Sequence, residues 1–336
     1  MIAKKRKSIL FVSIVLALVI IGSSLAVGCG GTKLYTIGIT SIVTHPALDA
    51  NKQGFIDALA DAGYVEGENV TYIDKSPEGD MTLAATIAKQ FVDEEVDLIL
   101  AIATPTAQAC VAATERAKTN IPVIFGSVTD PVAAELITNW EKPGGNVTGI
   151  SDWLEIPSQI QMVLDIMPNL DKIGVVYNSG ETNSVVQVDA LKAAAPGLGI
   201  SVVVEGTASS TAEVKTAAES LIGRVDAIWV GTDNTVVAAF EALVKVCEDN
   251  NIPLFASDVD SVERGAIAAL GMDYYEVGVS CGELAIRILE GGNPGDISAQ
   301  KVNLADLELY VNPGAATLMG ITIPQSVIDA ADQIVE

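Results

Sequence analysis

The sequence predicts an α/β protein of two doubly wound parallel-sheet lobes joined by a hinge of three chain segments. Three observations carry this. First, the stretch Val96 to Pro122, VDLILAIATPTAQACVAATERAKTNIP, has a second copy at Val225 to Pro253, VDAIWVGTDNTVVAAFEALVKVCEDNNIP. In each copy Val-Asp leads into an apolar run, a Thr-containing polar turn stops the run, and a helical pattern carries the chain to Asn-Ile-Pro. Second, the apolar runs are continuous rather than alternating, which is the pattern of strands buried on both faces of a parallel sheet. Third, matching positions of the two halves keep near-constant spacing: Ile37 and Ile173 are 136 residues apart, Asp97 and Asp226 129, and Ile121 and Ile252 131. A repeat of domain length means two similar lobes.

In chain order, a basic segment, Lys4 to Lys7, precedes the apolar run Ile9 to Ile21. That run has the length of a signal-peptide core and is too short to cross a bilayer comfortably. It ends in GSSLAVGC, which resembles a lipobox whose Cys29 would be diacylated, although Ala26 stands three places before the Cys where Leu is usual and Leu25 lies one place further out. Residues 1–28 are therefore expected to be a lipoprotein signal peptide and 29–33 a Gly-rich lipid tether. The protein is expected on the outer face of the cell membrane, anchored through Cys29. An uncleaved anchor helix is the alternative.

The first half then reads as strand Leu34 to Thr40, loop Ser41 to Asp49, a helix ending near Gly63, strand Asn69 to Asp74, amphipathic helix Asp80 to Glu95, the Val96 to Pro122 unit, and strand Ile121 to Phe125. Ser127 to Pro131 is a polar loop, and the breaker-rich Pro143 to Gly149 closes the half. The second half repeats the order with Lys172 to Tyr177, the loop Asn178 to Ser184, a helix to Gly197, and strands at Ile200 to Glu205, Asp226 to Val230 and Leu254 to Ser257. A further strand (Gly265 to Leu270), a polar link (Met272 to Gly278), a helix (Val279 to Glu290) and the segments Tyr310 to Pro313 and Ala315 to Pro324 lie beyond the duplication. This tail is expected to cross between the lobes. Crossings are expected near Thr148 to Trp153, Gly271 to Tyr275 and Lys301 to Pro313, with 34–149 plus about 276–308 in lobe one and 150–275 plus about 309–336 in lobe two.

Charge narrows the function. The net charge of -24 becomes -28 once the four leader cations are set aside, and a surface this negative repels phosphate backbones, so no nucleic acid is expected. His45 is the only histidine, which excludes a multi-His metal site and leaves a Ser-His-Asp triad one possible base. No GxGxxG or GxxxxGK[ST] occurs, and no cofactor or metal is expected. Cys110, Cys247 and Cys281 lie in helical patterns without a CxxC pair and read as core residues.

Ligands of doubly wound sheets bind beyond the carboxyl ends of the strands. The polar residues standing just past those ends are Thr44 and His45; Thr104 and Thr106; Thr129 and Asp130; Glu181 and Asn183; Asp233 and Asn234; Asp258; and Asp273 with Tyr274. Thr104 to Ala107 opens a helix, so its free N–H groups and hydroxyls suit an anion, and with no Lys or Arg nearby a carboxylate is a better fit than a phosphate. Asp130, Glu181, Asp233 and Asp258 could hold an ammonium group. Together they ask for a zwitterion with a small neutral or apolar remainder. Helix capping is the competing role of each of these residues taken singly.

The segments THPALDANKQGFIDALADAGYVEGENV, DLILAIATPTAQA, IPVIFGSVTDPVAA, PGGNVTG, YNSGETNS, GTDN, IPLFASD, GMDYYEVG and VNPGAA with GITIP resemble a family of ABC-transporter substrate-binding lipoproteins, some of which bind tryptophan or related aromatic amino acids. The likeness covers nearly all of Leu34 to Pro324, in family order. It implies a periplasmic-binding-protein fold of the first type, closing on its ligand by hinge bending, with a membrane permease and an ATPase as partners; the chain is expected to be a monomer. It also implies ligand loops at Thr44-His45, Thr104 to Thr106, Thr129-Asp130, Glu181 to Asn183, Asp233-Asn234, Asp258 and Asp273. From the chemistry of those residues, Thr104 and Thr106 are expected to take the carboxylate and Glu181 or Asp233 the ammonium. Tryptophan, phenylalanine, tyrosine or a branched aliphatic amino acid are the candidate ligands, with Tyr274 and His45 the aromatic groups available to stack. A sensing module signalling through a membrane partner is the alternative, and a secreted hydrolase using Asp233, Asp258 or Glu181 a third.

Overall fold

The computed structural model describes residues 33–335, so the leader, the lipobox and Cys29 lie outside the described residues. From Tyr35 onward the chain forms one contact unit that holds two sheets. The first is built from β1 (Tyr35–Ser41), β2 (Val70–Lys75), β3 (Leu98–Ile102), β4 (Val123–Gly126) and β5 (Val147–Ser151), paired in the order β2-β1-β3-β4-β5. The second is built from β6 (Lys172–Tyr177), β7 (Val202–Thr207), β8 (Ala227–Val230), β9 (Leu254–Ala256) and β10 (Ala268–Gly271), paired as β7-β6-β8-β9-β10. The two orders are the same, and all these pairings are parallel, as the repeat in the sequence requires.

Both faces of each sheet are covered. In β3, Leu98, Leu100 and Ile102 join one apolar cluster while Ile99 and Ala101 join another, which is why LILAI shows no alternation of polarity. The core of the second lobe gathers round Trp229, Phe240 and Phe255, all fully buried. Cys110, Cys247 and Cys281 are buried and free, and burial pushes the thiols of Cys110 and Cys247 up to about 12.

The chain passes between the sheets three times. It leaves the first after β5, returns after β10 into the helix Tyr274–Leu289, adds β11 (Gln300–Lys301) beside β5, and crosses again to place β12 (Glu308–Val311) antiparallel to β10, with β13 (Gln333–Ile334) on its far side. Three local expectations are corrected. The breaker-rich Pro143 to Gly149 is the turn into a fifth strand, whose five residues are all buried. The polar link Met272 to Gly278 is mostly helix: Asp273 caps it by accepting from Tyr275 N at 2.8 Å, and the helix runs from Tyr274 rather than Val279. A helix at Ile156–Ile166 has no counterpart in the sequence reading.

Candidate functional site

In each lobe the order of strands reverses beside the first strand, and the carboxyl ends there diverge to leave a crevice. The two crevices face one another around a tight cavity walled by both lobes. Val43, His45, Ala47 and Leu48 reach it from the segment after β1, Ala103 and Thr104 after β3, Ser127 and Thr129 after β4, and Asp152 after β5. The second lobe contributes Asn183 after β6, Thr232 to Asn234 and Val237 after β8, and Asp258 after β9, while Tyr274 opens the helix by which the chain returns to the first sheet.

On the first lobe the backbone sets up a receptor for negative charge. Ala103 takes a left-handed φ of 77°, an unusual state for a residue with a Cβ, and the helix Thr104–Ala117 starts directly from it with no side-chain cap. The hydroxyl of Thr104 is buried and has no protein partner. An uncapped helix start with a free hydroxyl is suited to a carboxylate. His45 caps the helix Pro46–Asp61, its Nδ1 accepting from Ala47 N at 3.2 Å. Burial holds its pKa below the ordinary value, so the ring is neutral and its proton sits on Nε2, which is buried without a partner.

The second lobe supplies carboxylates. Asp233 is buried, and its oxygens accept from Asn178 N at 2.6 Å, Ser184 Oγ at 2.6 Å and Val236 N at 2.7 Å. Burial, followed by repulsion from Glu181, pushes its carboxyl up to about 7. Asp258 accepts from Ser261 N at 2.9 Å and Ser261 Oγ at 2.7 Å. Among the described residues the cavity wall holds Asp152, Asp233 and Asp258 and no Lys or Arg.

Of the residues singled out from the sequence, the cavity brings together His45, Thr104, Thr129, Asn183, Asp233, Asn234 and Asp258. Five are placed elsewhere. Thr44 donates to Glu78 at 2.8 Å and lines the outer groove. Thr106 turns its hydroxyl back onto the carbonyls of Ile102 and Ala103, leaving only its main chain for a ligand. Asp130 accepts from Val132 N and Ala133 N at 3.0 Å, and Asp273 caps the helix it precedes. Glu181 is buried beside the cavity, where it accepts from Asn183, Asn234 and Thr235.

Sequence reasoning missed Asp152 and Ser127, with the apolar wall of Val43, Leu48 and Val237. Asp152 is the polar residue just after strand VTGIS, and reading that stretch as a strand would have found it. Its carboxyl is pushed up to about 6 by burial, against the pull of the Thr129 and Tyr274 hydroxyls beside it.

Among the described residues one side-chain hydrogen bond spans the crevice: the hydroxyls of Thr129 and Thr232 lie 3.2 Å apart. Each is oriented by its own lobe, since the carbonyl of Thr129 accepts from Ser151 Oγ at 2.9 Å and Thr232 Oγ1 accepts from Gln187 Nε2 at 2.9 Å.

The raised carboxyls give the ligand-free protein a pH signature. Asp152, Asp233 and Asp260, the last also pushed up to about 6 chiefly by burial, bind protons more tightly folded than unfolded. Their contribution to stability is complete below the unfolded value of about 4 and is lost as pH rises through about 6 to 7. His45 acts in the opposite sense, but it is one group against three, and growing self-repulsion of an acidic chain adds to the three. The melting temperature of ligand-free protein should therefore be higher near pH 5 than near pH 8, by roughly 5 °C. A melting temperature that climbs over that interval contradicts the assignment.

The profile of a family described as ABC transporter substrate binding protein matches residues 36–335. A curated relative, the tyrosine-binding protein of Clostridioides difficile (strain R20291), is 44% identical over 280 residues, covering 83% of this chain and 79% of its own. Among solved structures, an ABC domain in complex with L-Trp from Streptococcus pneumonia is 35% identical, with a TM-score of 0.85 over 90% of this chain and 100% of its own. The ligand-free, open form of a substrate-binding protein with adhesive properties from Clostridium difficile is 37% identical but superposes at a TM-score of only 0.67, over 90% of this chain and 99% of its own. At nearly equal identity, the better match is to the ligand-bound relative.

Proposed function

From the premise that the chain belongs to the ABC transporter substrate binding protein family, a type I periplasmic-binding fold of two α/β lobes, we propose that it captures an amino acid with an aromatic side chain between its lobes. One observation carries the reading: four buried polar atoms in the cavity wall, Thr104 Oγ1, His45 Nε2, Asp152 Oδ1 and Asn183 Oδ1, have no protein partner. Buried polar atoms are almost always paired, so a run of orphans around one cavity marks the place of a ligand's own polar atoms. Two of the four are donors, and they stand on the side of the uncapped helix start. The other two are acceptors, and the wall around them is acidic. A zwitterion satisfies both sets, with Val43, Leu48 and Val237 covering its side chain.

The carboxylate would lie against Thr104 and the main chain of the first helical turn, Thr106 included, and the ammonium against the acidic wall. The tyrosine-binding and L-Trp-bound relatives support the choice of an aromatic amino acid. We assign the chain to the outer face of the membrane, anchored through Cys29 and acting as a monomer that hands its ligand to a permease driven by an ATPase. Thermal melts with each of the twenty amino acids test the capture. At one hundred times its Kd, the ligand should add about 2.7 kcal/mol of stability. If no amino acid shifts the melt, the reading fails.

A further inference from the structure

We infer that Asp152 is the carboxylate that receives the ammonium group of the ligand, and that Tyr274 is the residue that positions it. The inference rests on the amino-acid reading above and adds an assignment that the sequence did not suggest, since Glu181 and Asp233 are the acidic residues the loop pattern favours.

Availability decides among the carboxylates. Glu181 has its oxygens taken by Asn178, Asn183, Asn234 and Thr235 and lines the outer groove rather than this cavity. Asp233 spends one oxygen on Asn178 N and Ser184 Oγ and the other on Val236 N. Asp258 uses both oxygens on Ser261. Asp152 is different: Oδ2 accepts from the Tyr274 hydroxyl at 3.1 Å, while Oδ1 is buried in the cavity wall without a hydrogen bond, the neighbouring Thr129 hydroxyl being shared with that of Thr232. An ammonium brings three donors, and the other unpartnered acceptor of the wall, Asn183 Oδ1, comes from the opposite lobe.

Position reinforces this. Asp152 lies just past β5, where the chain leaves the first sheet, and Tyr274 just past β10, where it returns. Their hydrogen bond therefore joins two of the three interlobe passages, and a ligand held by it is bonded to the hinge itself. The ionisable groups sharing the cavity wall with Asp152 are Tyr274 from the returning helix, His45 from the segment after β1, Asp233 from that after β8 and Asp258 from that after β9. None of them is a fixed cation that could replace the ammonium.

Calorimetric titration separates the outcomes. The probes are L-tyrosine, L-tryptophan and L-phenylalanine, each with its des-amino acid, which keeps the ring and the carboxylate. Asp152→Asn should weaken the amino acid roughly 30-fold and the des-amino acid less than about threefold. Tyr274→Phe should move the acid limb of the affinity profile to higher pH, because a carboxylate that loses a donor protonates more easily. Wild-type protein that binds none of the amino acids overturns both the capture reading and this inference. Wild-type binding with an Asp152→Asn variant that is unaffected, or that loses both probes equally, overturns this inference alone. Should Asp152→Asn fail to fold, the Tyr274→Phe profile decides, and one that superposes on wild type overturns the positioning role.

Discussion

Gly278→Val should lower the stability of the protein by about 3 kcal/mol or more and its melting temperature by roughly 5–10 °C. The helices Pro46–Asp61 and Tyr274–Leu289 touch backbone to backbone: a Cβ on Gly278 would stand 1.9 Å from the carbonyl oxygen of Asn51, and one on Gly54 2.1 Å from that of Tyr275. Neither obstacle is a side-chain tip that could swing aside, so the helices must separate. Separation carries to the cavity, because fully buried Asn51 donates to Ser127 Oγ at 2.6 Å and Tyr274 starts the displaced helix. Ligand affinity should fall with stability. Gly197→Ala is the control, since no atom lies within 4 Å of the added Cβ and its φ is ordinary, and it should be neutral within about 0.5 kcal/mol. A Gly278→Val protein that melts with wild type would mean the helices do not meet as described.

Glu181→Ala should cost about 3 kcal/mol and weaken the ligand by tenfold or more. Glu181 accepts from the main chain and side chain of both Asn234 and Thr235, and from Asn183, at distances of 2.6 to 3.3 Å. Removing it strands the donors of Asn234 and Thr235 at once and frees Asn234, which lines the cavity, while Asn183 keeps its bond to Thr232 O. An opposing effect is the relief of Asp233, whose carboxyl Glu181 helps to push up to about 7. Six lost bonds, the sixth from Asn178 Nδ2 at 3.4 Å, outweigh one like-charge contact with a group already half protonated near neutrality. Glu181→Gln separates the two: it keeps one acceptor and removes the charge, so it should lie between Ala and wild type in stability, and the Asp233 part of the pH dependence should move to lower pH. A Glu181→Ala variant as stable as wild type with unchanged affinity would show that this cluster does not hold the loops.

How far the site could be read in advance depended on the strand in question. β3 and β8 stand out as uninterrupted apolar runs because both their faces are covered, so the loops behind them, with Thr104 and Asp233, can be located from the sequence alone. β5 was hidden by the Gly-Gly-Asn turn in front of it, and Asp152 was lost with it. The start of the helix at Tyr274 was hidden by Gly278, which reads as a breaker but serves the close crossing over Asn51.

The sequence by itself determined that the fold is double, that its sheets are parallel, and which loops stand at their carboxyl ends, because burial on two faces and a repeat of domain length are both written along the chain. Only the tertiary structure decided which side chain of each loop keeps a free atom for a ligand. That depends on partners remote in sequence: Thr235, 54 residues from Glu181, takes up one carboxylate, while Tyr274, 122 residues from Asp152, holds another and leaves one oxygen free. Periodicity reports which face of an element is covered, and it carries no information about which donors already occupy a given oxygen.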